Sequence, residues 1–261
     1  MNILDQIIAS KKREVDLKKS VISINQWENA DLFNAKTISL SKSIINSPFG
    51  IIAEHKRRSP SKATINLGLS VEDVVKGYEN AGASGISVLT DNHYFGGSLD
   101  DLVLARAAVR TPLLRKEFII DEYQIMEAKA NGADAILLIA VVLTRDEIKS
   151  LSAFAHSIAL EVVLEVHNQE ELEKSIMPSL DIIGVNNRNL KTFEVSLLNS
   201  VDLVTQIPED FVKISESGLS NTDDLKLLKS IGYQGFLIGE NFMKTDNPGA
   251  SLEEFINQLK I

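Results

Sequence analysis

Past residue 48 the chain repeats one unit eight times, a short β-rich run followed by an amphipathic helical stretch, and few folds accept that pattern. The runs are GIIAEHK, GISVLTD, PLLRKEF, AILLIAVVL, EVVLEVH, IIGVNNR, FVKISES and GFLIGEN. The helical stretches are VEDVVKGYENAG, SLDDLVLARAAV, DEYQIMEAKANG, TRDEIKSLSAFAHSIA, NQEELEKSI, SLLNSVDLVTQI, NTDDLKLLKSIG and, last, SLEEFINQLK. Many open on Ser, Thr, Asp or Asn with acidic residues behind, the chemistry of an N-cap. Several end on a glycine suited to a left-handed C-cap. Eight strands alternating with eight helices predict an α/β fold, a (β/α)8 TIM barrel. A doubly wound open sheet would gather its polar residues at one switch point, whereas here they recur at the C-terminal end of nearly every run. Residues 1–48 carry helical patterns in DQIIASKKREVDL and SLSKSIINS. They read as a helical extension packed on the barrel, so that 1–261 form a single barrel domain.

With 261 residues, 44% of them hydrophobic, the chain can bury one large core. Cysteine is absent, which excludes disulfides and thiolate metal sites and suits a reducing compartment. MNILDQIIASKKREVDLKKS lacks the cationic and apolar order of a signal peptide, and no apolar run approaches the ~20 residues that cross a bilayer. A cytoplasmic protein is expected, with no membrane partner. Net charge is −9, from 27 basic and 36 acidic residues, a balance that opposes nucleic acid binding. Against that background Lys56, Arg57 and Arg58 form a local cationic spot better matched to a small anion than to a polyanion.

Strand residues alternate between faces, so Ile52, Glu54 and Lys56 share one face. On one strand alone a surface ion pair explains Glu54 and Lys56. The pattern recurs, however, in Lys116 of LLRKEF, Glu165 of VVLEVH, Asn186 and Arg188 of IIGVNNR, and Glu216 and Ser217 of KISES. Acids and cations converging from several strands can satisfy one another and also hold a substrate, at the end of the barrel where such enzymes keep their active sites. Gly218 and Gly239 follow the seventh and eighth strands, where barrel loops bind phosphate through backbone N–H groups. Ser59, after the first strand, adds a hydroxyl. The residues therefore point to a phosphate-binding barrel enzyme that works by lysine and glutamate acid–base chemistry.

AEHKRRSPSK, SVLTDNHYFGGS, LLRKEFIIDEYQI, LLIAVVL, VLEVHNQEEL, IGVNNRNLKTFEV, KISESGLS and FLIGENFM resemble, in order, the strand-end motifs of the indole-3-glycerol phosphate synthase family. The likeness runs from about residue 49 to the end, and the helical extension is also a family trait. It implies closure of 1-(2-carboxyphenylamino)-1-deoxyribulose 5-phosphate to indole-3-glycerol phosphate in tryptophan biosynthesis, with loss of carbon dioxide and water and no cofactor. By resemblance, Lys116 is the general acid of ring closure, and Glu165 is a base or a stabiliser of charge on the anilino nitrogen. Lys56 contacts the substrate carboxylate and gives a proton in dehydration. Glu54 and Asn186 orient Lys56 and the substrate hydroxyls, with Ser217 on the phosphate side. Arg188 and Glu216 belong to the pocket; Phe95, Phe118 and Leu137 wall the aryl ring. Ser59, Gly218, Gly239 and the backbone at Glu240 form the phosphate cradle. The cations after Glu54 are then expected to hold the substrate's two anionic ends.

A lysine suits the role of acid when burial and cationic neighbours lower its pKa, although alternation turns Arg115 away from Lys116. Glu117 stands where the family more often has aspartate, Ala63 where many members have glycine, and Gly96 where a larger residue is usual. Among the histidines, His55, His93 and His156 read as structural or exposed, and His167 as a pocket-rim residue. Lys11, Lys12 and Arg13 read as a solvated helix face. Other readings are phosphoribosylanthranilate isomerase, the tryptophan synthase α subunit, or a non-catalytic barrel that binds without turnover. A monomer is expected, with oligomers left open. No His, Asp or Glu cluster has metal-ligand spacing, so dialysis against a strong chelator is expected to leave turnover unchanged; loss restored by a divalent ion would contradict it.

Overall fold

Eight parallel strands pair in chain order and close: β1 (Ile51–His55), β2 (Gly85–Leu89), β3 (Leu113–Lys116), β4 (Ala135–Ile139), β5 (Glu161–Val166), β6 (Ile182–Asn186), β7 (Val212–Glu216) and β8 (Gly235–Ile238). The register of the closing pair sets Ile51 beside Phe236 and Ala53 beside Ile238. This computed structural model describes residues 3–190 and 192–261. Three helices precede the barrel: α1 (Ile3–Val21), α2 (Ile24–Glu28) and α3 (Leu40–Ile45). The crossovers and tail carry α4 (Val71–Asn80), α5 (Asn92–Phe95), α6 (Leu99–Ala108), α7 (Glu122–Ala130), α8 (Arg145–Ser157), α9 (Gln169–Ser175), α10 (Leu198–Leu203), α11 (Thr222–Ser230), α12 (Glu240–Met243) and α13 (Pro248–Leu259).

Local chemistry accounts for many of the boundaries. Ser70, Ser98, Asp121, Thr144, Asn168 and Asn221 each accept a hydrogen bond from an amide in the first turn of the following helix. Gly132 supplies the left-handed turn after α7, at φ +85°. The expected fourth strand ran to Leu143, but β4 stops at Ile139. Val142 N–H turns back to the Ile139 carbonyl, and Leu143 is buried in the outer core. Apolar character alone did not mark that turn. The short helices α5 and α12 were likewise absent from the sequence pattern.

Two apolar layers hold the structure. The outer one lies between the sheet and its helices; the inner one fills the barrel with Ile52, Leu114, Leu137, Val163, Ile214 and Leu237. Leu40 and Ile44 of α3 join the inner layer and close the bottom of the barrel. A Cβ at Gly85 would stand 2.4 Å from Leu40 Cδ1, so that strand position has no room for a side chain. Glu161 fixes the plug, accepting Ser39 Oγ at 2.5 Å and the Ser41 amide at 2.8 Å.

The first helix departs from the expectation of a solvated face. Lys12 and Arg13 are exposed, but Lys11 is only 2% exposed. Its Nζ lies 2.8 Å from Glu14, 3.0 Å from Asp91 after β2 and 3.1 Å from Glu117 after β3. Burial works against this charge, but Glu117, Asp91 and Glu14 outweigh it and hold the ammonium well above the ordinary lysine pKa. One turn before Lys11, Ile7 packs beneath the same helix, and further on Lys18 meets Glu127 at 2.9 Å. Removing one partner of a buried ionic cluster strands the others. Lys11→Met is expected to lower stability by about 3–5 kcal/mol, read from denaturant midpoints. A change within about 0.5 kcal/mol, the range of ordinary surface substitutions, would show that the cluster does not hold α1.

Candidate active site

The strands deliver their polar residues to one cavity of about 430 Å³ at the C-terminal end of the barrel. Most of the sequence-nominated residues line it, though Arg57, Arg58 and His167, which was expected at the rim, do not. Glu54 and Lys56 come from β1 and its exit, Lys116 from β3, Glu165 from β5, Asn186 and Arg188 from β6 and beyond, and Glu216 and Ser217 from β7. Phe95, Phe118 and Leu137 form apolar wall, and Ser59, Gly218, Gly239 and Glu240 line the same space. The Phe95 and Phe118 ring centroids are 5.9 Å apart, tilted by 43°. Sequence reasoning missed Ile3, Leu4 and Ile7, through which α1 forms part of the wall. Ile7 follows Leu4 and Ile3 by three and four residues, which marks an apolar helix stripe, but not what that stripe faces.

Lys116 is the electrostatic centre. Its Nζ is 2.5 Å from Glu216 Oε2 and 3.1 Å from Glu165 Oε2. Asn186 Nδ2 donates to Glu165 Oε1 at 3.0 Å, so within the protein Asn186 orients Glu165 and not Lys56 as expected. Lys56 instead pairs with Glu54 at 2.6 Å. Burial opposes the charge on Lys116, but Glu216, Glu165 and Glu54 outweigh it and hold its pKa above the ordinary value. The expected lowering by cationic neighbours is therefore overturned, because the neighbours are anions. Arg115 points outward as expected, to Thr90, the Gln124 carbonyl and Glu127. Burial would raise Glu165, yet Lys116, His167 and Asn186 hold it far below the usual carboxylate range.

Glu216 is the exception among these acids. Burial pushes its carboxyl up to about 7; Lys116 pulls it down, while Glu165 and Glu54 repel its charge. Space for it comes from Gly184, an inward position of β6, where a Cβ would lie 2.3 Å from Glu216 Oε1. That glycine was not singled out in the sequence, since its role appears only once β6 and β7 are set side by side.

Just past β7 Ser217 and Gly218 both adopt left-handed φ, 68° and 74°. A non-glycine residue there is uncommon and needs support. Asn187 supplies it, donating through Nδ2 to the Ser217 carbonyl at 3.2 Å and to Ser215 Oγ at 2.9 Å. A Cβ at Gly239 would meet Glu54 Oε1 at 2.5 Å, so this turn is packed directly on the Glu54–Lys56 pair. Lys62 spans the mouth to Glu240 at 2.9 Å.

Of the cations after Glu54, only Lys56 lines the cavity. Arg57 pairs with Asp101 and donates to the Gly96 carbonyl at 3.0 Å; Arg58 donates to the carbonyls of Asn92 and His93 at 2.8 and 3.0 Å. They fasten the loop that presents Phe95, and the expectation that the whole spot holds substrate is corrected. Gly96 itself has φ +68° and caps α5, with Arg58 packed against it, which suits glycine better than a larger residue. Among the described residues no group of three or more His, Cys, Asp or Glu is placed to hold a metal ion, and no helix is long and apolar enough to cross a membrane.

The raised pKa of Glu216 carries a stability signature. Its carboxylate is harder to ionise folded than unfolded, so its contribution falls as pH rises from the unfolded value near about 4.3 through about 7. Glu216→Gln is expected to raise Tm relative to the parent more at about pH 8 than at about pH 5. An equal or reversed difference would place Glu216 among ordinary carboxylates.

A family model for indole-3-glycerol phosphate synthase matches residues 4–255. The Bacteroides thetaiotaomicron protein named indole-3-glycerol phosphate synthase is 48% identical over 259 residues, covering 99% of both chains. That of Aliarcobacter butzleri is 41% identical over 261 residues, covering 98% of this chain and 99% of its own. Among solved structures, KGPDC from Streptococcus mutans superposes with a TM-score of 0.63 at 13% identity, over 80% of this chain and 96% of its own. A tryptophan synthase α subunit from Pyrococcus furiosus does so at 0.59 and 15%, over 80% and 97%. At such identities the structural likenesses speak for the barrel alone, whereas the full-length sequence matches decide the matter: the chain belongs to the indole-3-glycerol phosphate synthase family.

Proposed function

We propose that this chain closes 1-(2-carboxyphenylamino)-1-deoxyribulose 5-phosphate to indole-3-glycerol phosphate, in the cytoplasm, as a monomer folded as one barrel domain. The observation that carries the mechanism is the Lys116 ammonium held between Glu165 and Glu216 on a cavity with an aromatic wall. The family excludes the isomerase and α-subunit readings. An intact acid–base cluster argues against a barrel that only binds.

In this reading the ring carbon bearing the carboxylate attacks the ketose carbonyl, and Lys116 gives its proton to the carbonyl oxygen as the carbon–carbon bond forms. Carbon dioxide leaves from the same ring carbon and its bonding electrons restore the aromatic ring. The new hydroxyl then departs as water with a proton from Lys56, and a proton lost from the neighbouring carbon completes the indole. Glu165 balances positive charge on the anilino nitrogen. A lysine kept fully protonated is a weaker acid than one tuned to neutrality, but it is always loaded, and desolvation of its ammonium by bound substrate favours transfer. Phe95, Phe118 and Leu137 hold the aryl ring so that the attack needs little further ordering. The turns at Ser217, Gly218 and Gly239, with Ser59 and the Glu240 backbone, take the phosphate, and Arg188 stands beside them.

The two lysines are separable by kinetics. With the carboxyphenylamino ribulose phosphate as substrate and indole fluorescence as the signal, Lys116→Met is expected to lower the single-turnover rate by about 10²–10⁴-fold with substrate still bound. Lys56→Met is expected to weaken equilibrium binding as well, since it removes a direct partner of the substrate carboxylate. Near-normal single-turnover chemistry in Lys116→Met would move the acid role to Lys56.

A further inference from the structure

Glu165 has a partner that does not line the cavity. His167, one residue past the end of β5, lies behind it, with Nε2 3.3 Å from Glu165 Oε1 and Nδ1 3.1 Å from Glu171 Oε2. The ring is only 10% exposed. Glu171 is itself fixed in the first turn of α9. Its Oε2 also accepts the His167 amide at 2.9 Å, its Oε1 accepts Asn168 Nδ2 at 2.9 Å, and its own amide donates to the capping Asn168 Oδ1 at 2.9 Å. Nδ1 is hydrogen-bonded to Glu171 and Nε2 stands at ion-pair distance from Glu165, and the ring answers both carboxylates only when both nitrogens carry protons.

The charged groups facing the ring are Glu165 from β5 and Glu171 from α9; Lys116 of β3 reaches it only across Glu165. Burial works against a charged ring, but the two carboxylates outweigh it and lift His167 to about 10. The consequence rests on the reaction proposed above. When Lys116 gives up its proton, Glu165 and Glu216 lose the cation they share. Burial raises the Glu216 carboxyl, which favours its taking up a proton, whereas Glu165 must stay ionised opposite the anilino nitrogen. We infer that His167 is a positioning residue, an imidazolium clamped between Glu165 and Glu171 that keeps Glu165 ionised and aimed into the cavity while Lys116 is discharged.

Two measurements decide it, and the first needs no turnover. In ¹⁵N-histidine spectra of the full chain at about pH 8.5, one ring is expected to show two protonated nitrogens, and that signal is expected to vanish in His167→Gln. In Glu171→Gln its titration midpoint is expected to fall. A His167 midpoint at the ordinary value of about 6.5 would overturn the clamp whatever the enzyme's substrate. The second is the pH profile of single-turnover rate for His167→Gln and the parent, in which ionisations of the substrate are common to both. The ratio of variant to parent is expected to fall about threefold or more between about pH 8 and pH 5.5, because Glu165 then protonates within the working range. A constant ratio would confine His167 to packing and overturn the inference while leaving the reaction in place. Absence of turnover in the parent would overturn the reaction instead, with the spectra still reporting on the clamp.

Discussion

Lys116 lies within ion-pair distance of two buried carboxylates, and much of the barrel's upper half is arranged around that fact. An ammonium removed from water is tolerated only when anions stand close by, and each carboxylate then needs donors of its own. Asn186 donates to Glu165 and His167 stands at ion-pair distance from it; Gly184 leaves room for Glu216; Gly239 leaves room for Glu54 beside Lys56. The ends of strands β1, β3, β5, β6 and β7 each contribute to this network. A strand shifted by one residue would turn its member of the cluster outward and leave the others uncompensated. The inner apolar layer and the network therefore specify the same register.

This coupling explains why so much was legible beforehand. Glu54 and Lys56 two residues apart, and lone charges near the ends of other apolar runs, are improbable in buried strands unless they meet, so alternation alone brought them to one end of one barrel. The lines of reasoning that failed share a different character. Lys11 has the sequence environment of a surface lysine, and only the positions of Asp91 and Glu117 in space make it internal. Arg57 and Arg58 are cations beside a site, but they serve as hydrogen-bond donors to a loop. Local sequence records which charges exist near a strand end; which of them are spent on structure depends on partners far along the chain. Gly184, α5 and α12 were invisible for the same reason.

The two ends of the cavity are built on different principles. One side is side-chain surface, with Phe95 at the end of α5 and Phe118 after β3, in segments that Arg57, Arg58 and Glu117 fasten down; Glu117 accepts the Phe118 amide at 2.8 Å and Thr90 Oγ1 at 2.9 Å. The turn side is backbone, with two successive left-handed residues at Ser217 and Gly218 braced by Asn187. The first can vary in shape through side-chain substitution. The second admits no side chain at its two glycines, because added bulk at Gly218 meets Val195 and at Gly239 meets Glu54.

The anchoring of α1 through Lys11 also bears on the order in which the molecule assembles. Residue 11 is made before the carboxylates it needs, which follow β2 and β3, so a long loop must close before that ammonium can leave water. Until then the first helix has nothing to bury Ile7 and Lys11 against, and during synthesis it remains a solvated, marginal helix. The wall formed by Ile3, Leu4 and Ile7 is thus the earliest part of the cavity to be made and among the last to be put in place. A nascent chain has no complete cavity wall until α1 folds back over the barrel.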